Sequence, residues 1–350
     1  MRRTKNRQAG IRTPALTALF LAVALLLAHR AGGSAGAARL LDRLAASQTF
    51  VTGIFSTETG AQAKAPAVHT AAPSAFVPQG PAVHETGLPQ AESLPAAAEP
   101  TDRPRAVTVS MNNESGLSAD PTAMLNDPVT IDCSGSQPTV LIYHTHATEA
   151  YTPSGADGYT PSGDYRTTDT TRNVVRVGTE LKQVLEAHGI SVIHLTELFD
   201  HPSYNGSYGA SLAAMKKVLA QYPTIQVTID IHRDAVILDD GSQYRTEAAA
   251  GGSTVAQLML VVGTNASGLD HPGWRENLNF AANLQADLSG AYPGLMRPIN
   301  LRRQRFNEHL RPGGMLLEVG SSGNTLQEAL AAVRLFGEAL AGRVLPASNQ

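Results

Sequence analysis

The sequence predicts an α/β fold built around a mostly parallel central sheet flanked by helices. The first observation is that short apolar runs, typical of buried strands, alternate with segments whose apolar residues recur every three or four positions. From residue 139 the order is strand, helix, strand, helix, strand, which predicts right-handed βαβ units. The second observation is that three apolar runs end in histidine or glutamate. We therefore expect a site at the carboxyl edge of the sheet.

The individual elements follow from the same periodicities. Strands are expected at 139–146, 190–195, 226–231, 256–263 and 315–319, with a short edge strand at 299–301. Helices are expected at 173–188, 208–220, 275–288 and 325–341. Asn173 is the predicted N-cap of the first helix, and Gly189 follows its end. A hairpin turn is predicted around Asp240 and Gly241. Together these elements are enough for one core of roughly 200 residues.

The first third of the chain has a different character. A basic stretch, MRRTKNRQAGIRT, precedes an uncharged run at 14–28. This order is typical of a signal anchor or an export signal, with positive charge on the cytoplasmic side. Residues 1–38 are therefore predicted to be a signal anchor with its flanks. The rest of the chain is then extracytoplasmic, either on a single-pass membrane protein or, if the signal is cleaved, secreted.

Residues 39–130 are predicted to be a membrane-proximal segment followed by a disordered linker. The linker is rich in alanine and proline and lacks both the helical and the strand period. Such a composition cannot bury enough apolar surface to offset the entropy of the chain. The catalytic domain is accordingly predicted at residues 131–345.

Charge and cysteine content exclude two classes of protein. The formal net charge is −3, so no strongly basic surface is expected and nucleic acid is not a predicted partner. Cys133 is the single cysteine of the chain, which excludes an internal disulfide.

The residues at the strand ends have the composition of a catalytic zinc site. His146 and Glu149 form an H-x-x-E pair after the first strand, His232 ends the third, and Glu318 lies in the last. Such a site commonly takes two histidines and a glutamate, and leaves one position for water. It also needs a general base beside that water. The sequence predicts His146, Glu149 and His232 as Zn²⁺ ligands and Glu318 as the catalytic residue.

Some neighbouring side chains have alternative roles. His144 is expected to contact a ligand or the substrate rather than the metal. Asp230 is expected to support His232 from the same face of the strand. A buried carboxylate is costly without a partner, so Glu318 has the alternative of a salt bridge. The candidate partners are Arg302, Arg303 and Arg305.

The motifs YHTHATEAY, DYRTTD, NVVRVG, DIHRDA and LLEVG occur in this order over about 138–341. The ordered set resembles the stage II sporulation protein P family. The resemblance implies a single zinc-exopeptidase-like or amidase-like domain with His146 and His232 as ligands and Glu318 as catalytic acid. The wider amidases place their ligand glutamate at the start of the first helix, where this chain reads TTRNVV. The acidic ligand could therefore be either Glu149 or Asp169.

The resemblance also implies a function. Members are zinc N-acetylmuramoyl-L-alanine amidases, which hydrolyse the peptidoglycan amide between the lactyl group of muramic acid and L-alanine. It further implies endopeptidase action on stem peptides and a role in forespore engulfment during sporulation. The expected partners are peptidoglycan, the cytoplasmic membrane through the N-terminal helix, and sporulation proteins D and M.

Two other functions stay open on the residues alone. A zinc carboxypeptidase shares the H-x-x-E pair, and it would need a fixed arginine to hold the substrate carboxylate. The second alternative is a non-catalytic module that binds the cell wall and holds no metal.

Overall fold

The computed structural model describes residues 109–162, 164–235, 237–238 and 242–346. These residues form a seven-stranded sheet, a two-stranded antiparallel hairpin, and four α-helices. The strands are β1 (Met111–Asn113), β2 (Val140–Tyr143), β3 (Val192–His194), β4 (Val227–Asp234), β5 (Glu247–Ala250), β6 (Ser253–Ala256), β7 (Leu258–Val262), β8 (Ile299–Leu301) and β9 (Gly313–Ser321). The helices are α1 (Val174–Ala187), α2 (Ser207–Gln221), α3 (Trp274–Ala291) and α4 (Leu326–Val344).

The sheet is parallel except at one junction. Its strand order is β1-β8-β7-β9-β4-β2-β3, and only the β7–β9 pair is antiparallel within the described strands of this sheet. Helices α1, α3 and α4 pack in the large core on one face, and α2 packs in a smaller core on the other. The predicted α/β class with a mostly parallel sheet is confirmed.

Strand β4 divides its side chains between the two faces. Val227, Ile229 and Ile231 belong to the large core, so the residues that alternate with them along the strand point to the opposite face. Those residues include His232, whose parallel partner on β9 is Glu318. The register therefore places the two predicted site residues side by side on one face of the sheet.

The helices begin and end where the sequence predicts, to within a few residues. The Asn173 side chain accepts a hydrogen bond from the Val175 backbone N–H at 2.9 Å, which caps α1. Gly189 follows this helix with φ +78°, in the left-handed region that favours glycine. Thr325 and Glu328 form a reciprocal capping box at the start of α4.

Two predictions at the sheet edge are wrong. Strand β8 is not at the edge, because β1 pairs with it in parallel. Strand β1 lies in the range assigned to the disordered linker, so that prediction is wrong for these residues. The segment is further tied down by bonds from Ser110 N to Gln285 Oε1 and from Val129 N to Asn279 Oδ1, both 2.9 Å. A three-residue strand with mostly exposed side chains leaves no alternation in the sequence.

Some predictions fall on residues that the structure does not describe. The signal anchor and residues 39–108 of the linker lie outside the described ranges, as do Asp240 and Gly241 of the hairpin turn. The residues that flank this turn, Ile237 and Gln243, form an antiparallel bridge. Among the helices of the described ranges, none combines the length and the apolar character that crossing a membrane requires.

The contact between α1 and α4 gives a prediction about stability. A Cβ at Gly337 would lie 2.7 Å from Val184 Cγ1, whereas nothing lies within 4 Å of a Cβ at Gly342 on the same helix. We expect Gly337→Ala to lower the free energy of unfolding by about 1–3 kcal/mol through overpacking. The matched control Gly342→Ala should raise it by about 0.5–1 kcal/mol, since glycine is costly within a helix. Chemical denaturation measures both, and equal effects would contradict this packing.

Candidate metal centre

A tight turn after β2 brings two of the predicted ligands together. The Glu149 backbone N–H donates to the His146 carbonyl at 3.0 Å, which reverses the chain between them. His146 Nδ1 then lies 3.5 Å from Glu149 Oε1. Both residues are buried. The H-x-x-E spacing thus directs an imidazole and a carboxylate to the same point.

Strand β4 brings the third predicted ligand to this turn. His232 Nδ1 lies 3.2 Å from Glu149 Oε2, and the rings of His146 and His232 have centroids 5.0 Å apart. One potential ligand atom from each of the three side chains lies within 4.8 Å of the others. Among the described residues, no other three histidine, cysteine, aspartate or glutamate side chains meet in this way.

The spacing of these atoms fits a zinc ion. Four donors at Zn–N and Zn–O bonds of about 2.0–2.2 Å in a tetrahedron lie about 3.4 Å apart. His146 Nδ1 lies 3.5 Å from Glu149 Oε1 and His232 Nδ1 lies 3.2 Å from Oε2, so each imidazole approaches one oxygen of the carboxylate at about this spacing. Two imidazoles and a carboxylate are also the donor set of a catalytic site with one position open. The three side chains therefore fit the metal that the sequence predicts, and their role as ligands stays a prediction.

The charges in the cluster also favour a cation. Burial by itself would lower the pKa of His232, but the Asp230 and Glu149 carboxylates outweigh it and raise that pKa well above its usual value. Burial alone would raise the pKa of Glu149, yet His232 and His146 hold it well below the usual range. The two carboxylates thus favour positive charge at the His232 ring. A metal ion would take the place of the His232 proton at the carboxylate.

Asp230 lies close to the His232 ring on the other side. Its Oδ1 lies 3.0 Å from His232 Nε2 and accepts a bond from the Thr145 backbone N–H at 2.7 Å. Its Oδ2 accepts a bond from the Thr145 hydroxyl at 2.6 Å. A carboxylate behind a ligand histidine fixes the ring and raises its basicity. The sequence-based expectation that Asp230 supports His232 agrees with these contacts.

Glu318 lies beside the cluster as a carboxyl group without a local partner. It is next to His232 in the β4–β9 register and is partly buried. Its Oε2 accepts no hydrogen bond from the described residues. Burial raises the pKa of Glu318 to about 8, and the nearby His232 opposes this shift. A cation nearby would favour the ionised form, which can accept a proton.

The three arginines proposed as alternative partners of Glu318 are engaged elsewhere. Arg302 pairs with Glu114 at 3.5 Å, and Arg303 and Arg305 donate to backbone carbonyls of the 266–270 loop. The alternative role of Glu318 in a salt bridge with them is therefore wrong. These arginines also make poor candidates for holding a substrate carboxylate.

The structure separates the other candidate residues from the cluster. His144 Nε2 lies 2.8 Å from His194 Nε2, and His144 Nδ1 lies 3.1 Å from the Ile231 carbonyl. Its main side-chain partner is therefore a histidine of β3. Asp169 is exposed and its carboxylate bonds Thr171, so it lies outside the three-residue group. Glu149, and not Asp169, is the carboxylate that lies in this group.

Arg166, which sequence reasoning missed, braces the acidic ligand. Its guanidinium lies 3.3 Å from Glu149 Oε1 and 3.0 Å from Asp200 Oδ2. Asp200 in turn accepts bonds from the Thr148 backbone and hydroxyl. Arg166 belongs to the DYRTTD motif, one of the motifs that carry the family resemblance. Asp200 lies in the loop after β3, and no motif in the sequence around it indicates a role.

A second arginine fixes the loop that carries Arg166. The Arg233 side chain donates to the backbone carbonyls of Ala150 at 2.8 Å and Asp164 at 2.5 Å. Its backbone N–H donates to Glu149 Oε2 at 3.2 Å. This buried side chain therefore joins the end of β4 to the two loop segments that support Glu149.

The fold and the site together define an α/β protein with a His-Glu-His group at the carboxyl edge of a mostly parallel sheet, beside a separate glutamate. A family model for Stage II sporulation protein P (SpoIIP) matches residues 81–341. The chain belongs to this family, and the resemblance predicted from the motifs is confirmed.

One characterised relative and two solved structures give further comparisons. Stage II sporulation protein P of Bacillus subtilis (strain 168) is 31% identical over 220 residues, which cover 59% of this chain and 52% of the relative. This chain thus spans about half the length of that relative. The amidase AmiC2 of Nostoc punctiforme is 16% identical with a TM-score of 0.33, over 60% of this chain and 96% of AmiC2. The amidase Ami1 of Mycobacterium abscessus is 13% identical with a TM-score of 0.34. The match covers 58% of this chain and 95% of Ami1. Structural similarity this low supports no conclusion about function.

The geometry predicts which carboxylate binds the metal. We expect Glu149→Gln to weaken zinc binding by more than about 100-fold. Loss of a residue that only hydrogen-bonds a metal ligand already lowers metal affinity by about 10–100-fold. Asp169→Asn is the matched control and should bind zinc as the wild type does. Competition titration against a chromophoric chelator measures both affinities. Loss of binding in Asp169→Asn with retention in Glu149→Gln would contradict the assignment.

Proposed function

We propose that this protein is a zinc-dependent peptidoglycan hydrolase of the N-acetylmuramoyl-L-alanine amidase type that acts in sporulation. The observation that carries the proposal is the group of His146, Glu149 and His232 beside the unpartnered carboxyl of Glu318. Membership of the stage II sporulation protein P family supports the biological setting. Action on the wall during forespore engulfment follows from that membership, and endopeptidase activity is a secondary expectation.

Each residue has one task in the proposed reaction. His146, Glu149 and His232 would hold the zinc ion, and Asp230 keeps the His232 ring in place. When bound, zinc supplies a Lewis acid that acidifies water and polarises a carbonyl. Glu318 accepts a proton from the attacking water as the new carbon–oxygen bond forms. It then delivers this proton to the leaving nitrogen as the carbon–nitrogen bond breaks.

The location of the activity is part of the proposal. We infer that the basic-then-apolar segment within residues 1–38 directs the catalytic domain out of the cytoplasm, as an anchor or a cleaved signal. The wall substrate lies on that side of the membrane. Sporulation proteins D and M are the proposed protein partners.

The products distinguish the proposed function from the two alternatives. Zinc-loaded full-length protein should release new L-alanine amino termini from purified peptidoglycan. Free single amino acids would instead indicate a carboxypeptidase, and binding to the wall without any product would indicate a non-catalytic module. Amino-terminal labelling of the digest followed by mass spectrometry separates these outcomes.

Glu318 is predicted to act on protons and not to bind metal. We expect Glu318→Gln to lower kcat by about 10²–10⁴-fold, the usual contribution of a positioned general acid–base. Its zinc content should equal that of the wild type, because the side chain is outside the ligand group. The variant Asp287→Asn, at an ion pair with Arg343 on the helical layer, is the control and should keep full activity. A wild-type kcat in Glu318→Gln would contradict the proposed role of Glu318 as general acid–base.

Metal removal tests the cofactor directly. Dialysis against a chelator should abolish hydrolysis, because the ion that acidifies water and polarises the carbonyl is removed. One equivalent of zinc should restore it. Atomic absorption measured alongside the assay relates activity to zinc content. Full activity in protein shown to be free of metal would contradict the proposed zinc dependence.

A further inference from the structure

Tyr204 is an exposed aromatic side chain that lies against a candidate metal ligand. Its ring stacks on the His146 imidazole with centroids 4.4 Å apart and 27° between the planes. Its hydroxyl lies 3.5 Å from His146 Nδ1, the nitrogen that also faces Glu149. Because 48% of Tyr204 is exposed while His146 is buried, Tyr204 lies where the buried cluster meets solvent.

The hydroxyl has a weak partner in the protein. A contact of 3.5 Å is at the outer limit of a hydrogen bond, and it is the single bond of this hydroxyl to the described residues. A metal bound at His146 Nδ1 would occupy the lone pair of that nitrogen, so the nitrogen could not accept a hydrogen bond from the hydroxyl. Tyr204 would then present a free O–H donor to whatever occupies the site.

The ring is nevertheless held in a defined position. The Arg166 guanidinium carbon lies 5.2 Å from the centroid of the Tyr204 ring. Arg166 is itself fixed by Asp200 at 3.0 Å. A donor whose orientation is set before substrate binds costs little reorganisation during the reaction.

Tyr204 and Glu318 approach different histidines of the cluster, since Tyr204 stacks on His146 and Glu318 is beside His232. The strand order β9-β4-β2-β3 places Glu318, His232 and His146 in sequence across the sheet, and Tyr204 belongs to the loop that follows β3. A substrate amide above the two histidines would have the carboxyl on one side and the phenol on the other.

We propose that the Tyr204 hydroxyl donates a hydrogen bond to the scissile carbonyl oxygen of the peptidoglycan amide, and is thus a second catalytic residue. The inference rests on the proposed function. The carbonyl oxygen gains negative charge as the water oxygen bonds to carbon, so this hydrogen bond strengthens toward the transition state. When the carbon–nitrogen bond breaks, the proton from water reaches the nitrogen through Glu318, and Tyr204 keeps its own proton.

Removing only the hydroxyl tests this inference. The zinc-loaded full chain carrying Tyr204→Phe keeps the stacking ring, and we expect its kcat on a purified muropeptide to fall about 100-fold, as when one oxyanion donor is lost. KM, zinc content and Tm should stay at wild-type values. The control is Tyr222→Phe at the end of α2, where the hydroxyl contacts Gln221, and it should keep wild-type kcat.

The outcomes separate this inference from the proposed function. Wild-type kcat in Tyr204→Phe, with an active wild type, would overturn the role of the hydroxyl and leave the hydrolase standing. Loss of zinc from Tyr204→Phe in proportion to its loss of activity would also overturn it, because the residue would then act through the metal. A wild type unable to hydrolyse the muropeptide would overturn both.

Discussion

The buried carboxylate of Glu149 is the constraint on which the site depends. A charge removed from water needs compensation by opposite charge and hydrogen bonds. Here the compensation comes from His146, His232, Arg166 and the backbone N–H of Arg233. These groups lie on the turn after β2, the loop before α1 and the end of β4. Balancing one charge therefore holds three separate parts of the chain together.

The sheet supplies the rest of the geometry. Because β4 and β9 are parallel neighbours, their carboxyl ends meet, and the register sets Glu318 beside His232. Strand β7 runs the other way, so its residue opposite Glu318 is the apolar Met259 and it adds no ligand at this edge. Glu318 thus has a polar cluster on one side and an apolar neighbour on the other. That arrangement desolvates its carboxyl without giving it a salt bridge, which is why its pKa is raised.

The arrangement also explains how a small number of residues could divide the proposed chemistry. The proposed ligands, proton carrier and hydrogen-bond donor come from different parts of the chain. Asp230 supports His232, while Arg166 supports both Glu149 and the ring of Tyr204. Arg166 therefore serves two of these roles at once, and substituting it would disturb both.

Much of this could be predicted from the sequence, because the signals were local. The helical period defined α1 and its cap at Asn173, and the strand ends identified His146, His232 and Glu318. The orientation of β7 could not be predicted, since an all-apolar strand reads the same in either direction. Strand β1 could not be predicted because three residues are too few to show the alternation of a strand.

The residues missed at the site have a different physical reason. Arg166, Asp200 and Tyr204 act through contacts between loops, and loops carry no periodic pattern that relates one to another. His144 shows the converse, because its position two residues before His146 suggested a role near the metal. The chain turns after β2, so its ring enters the core and meets His194 instead.

The most direct test of the central claim is anomalous diffraction at the zinc edge from crystals of the zinc-loaded protein. The account predicts a single strong peak bonded to side-chain atoms of His146, Glu149 and His232, with the Glu318 carboxyl next to it and not bonded. A peak held by other side chains, or none at this edge of the sheet in protein shown to contain zinc, would contradict it.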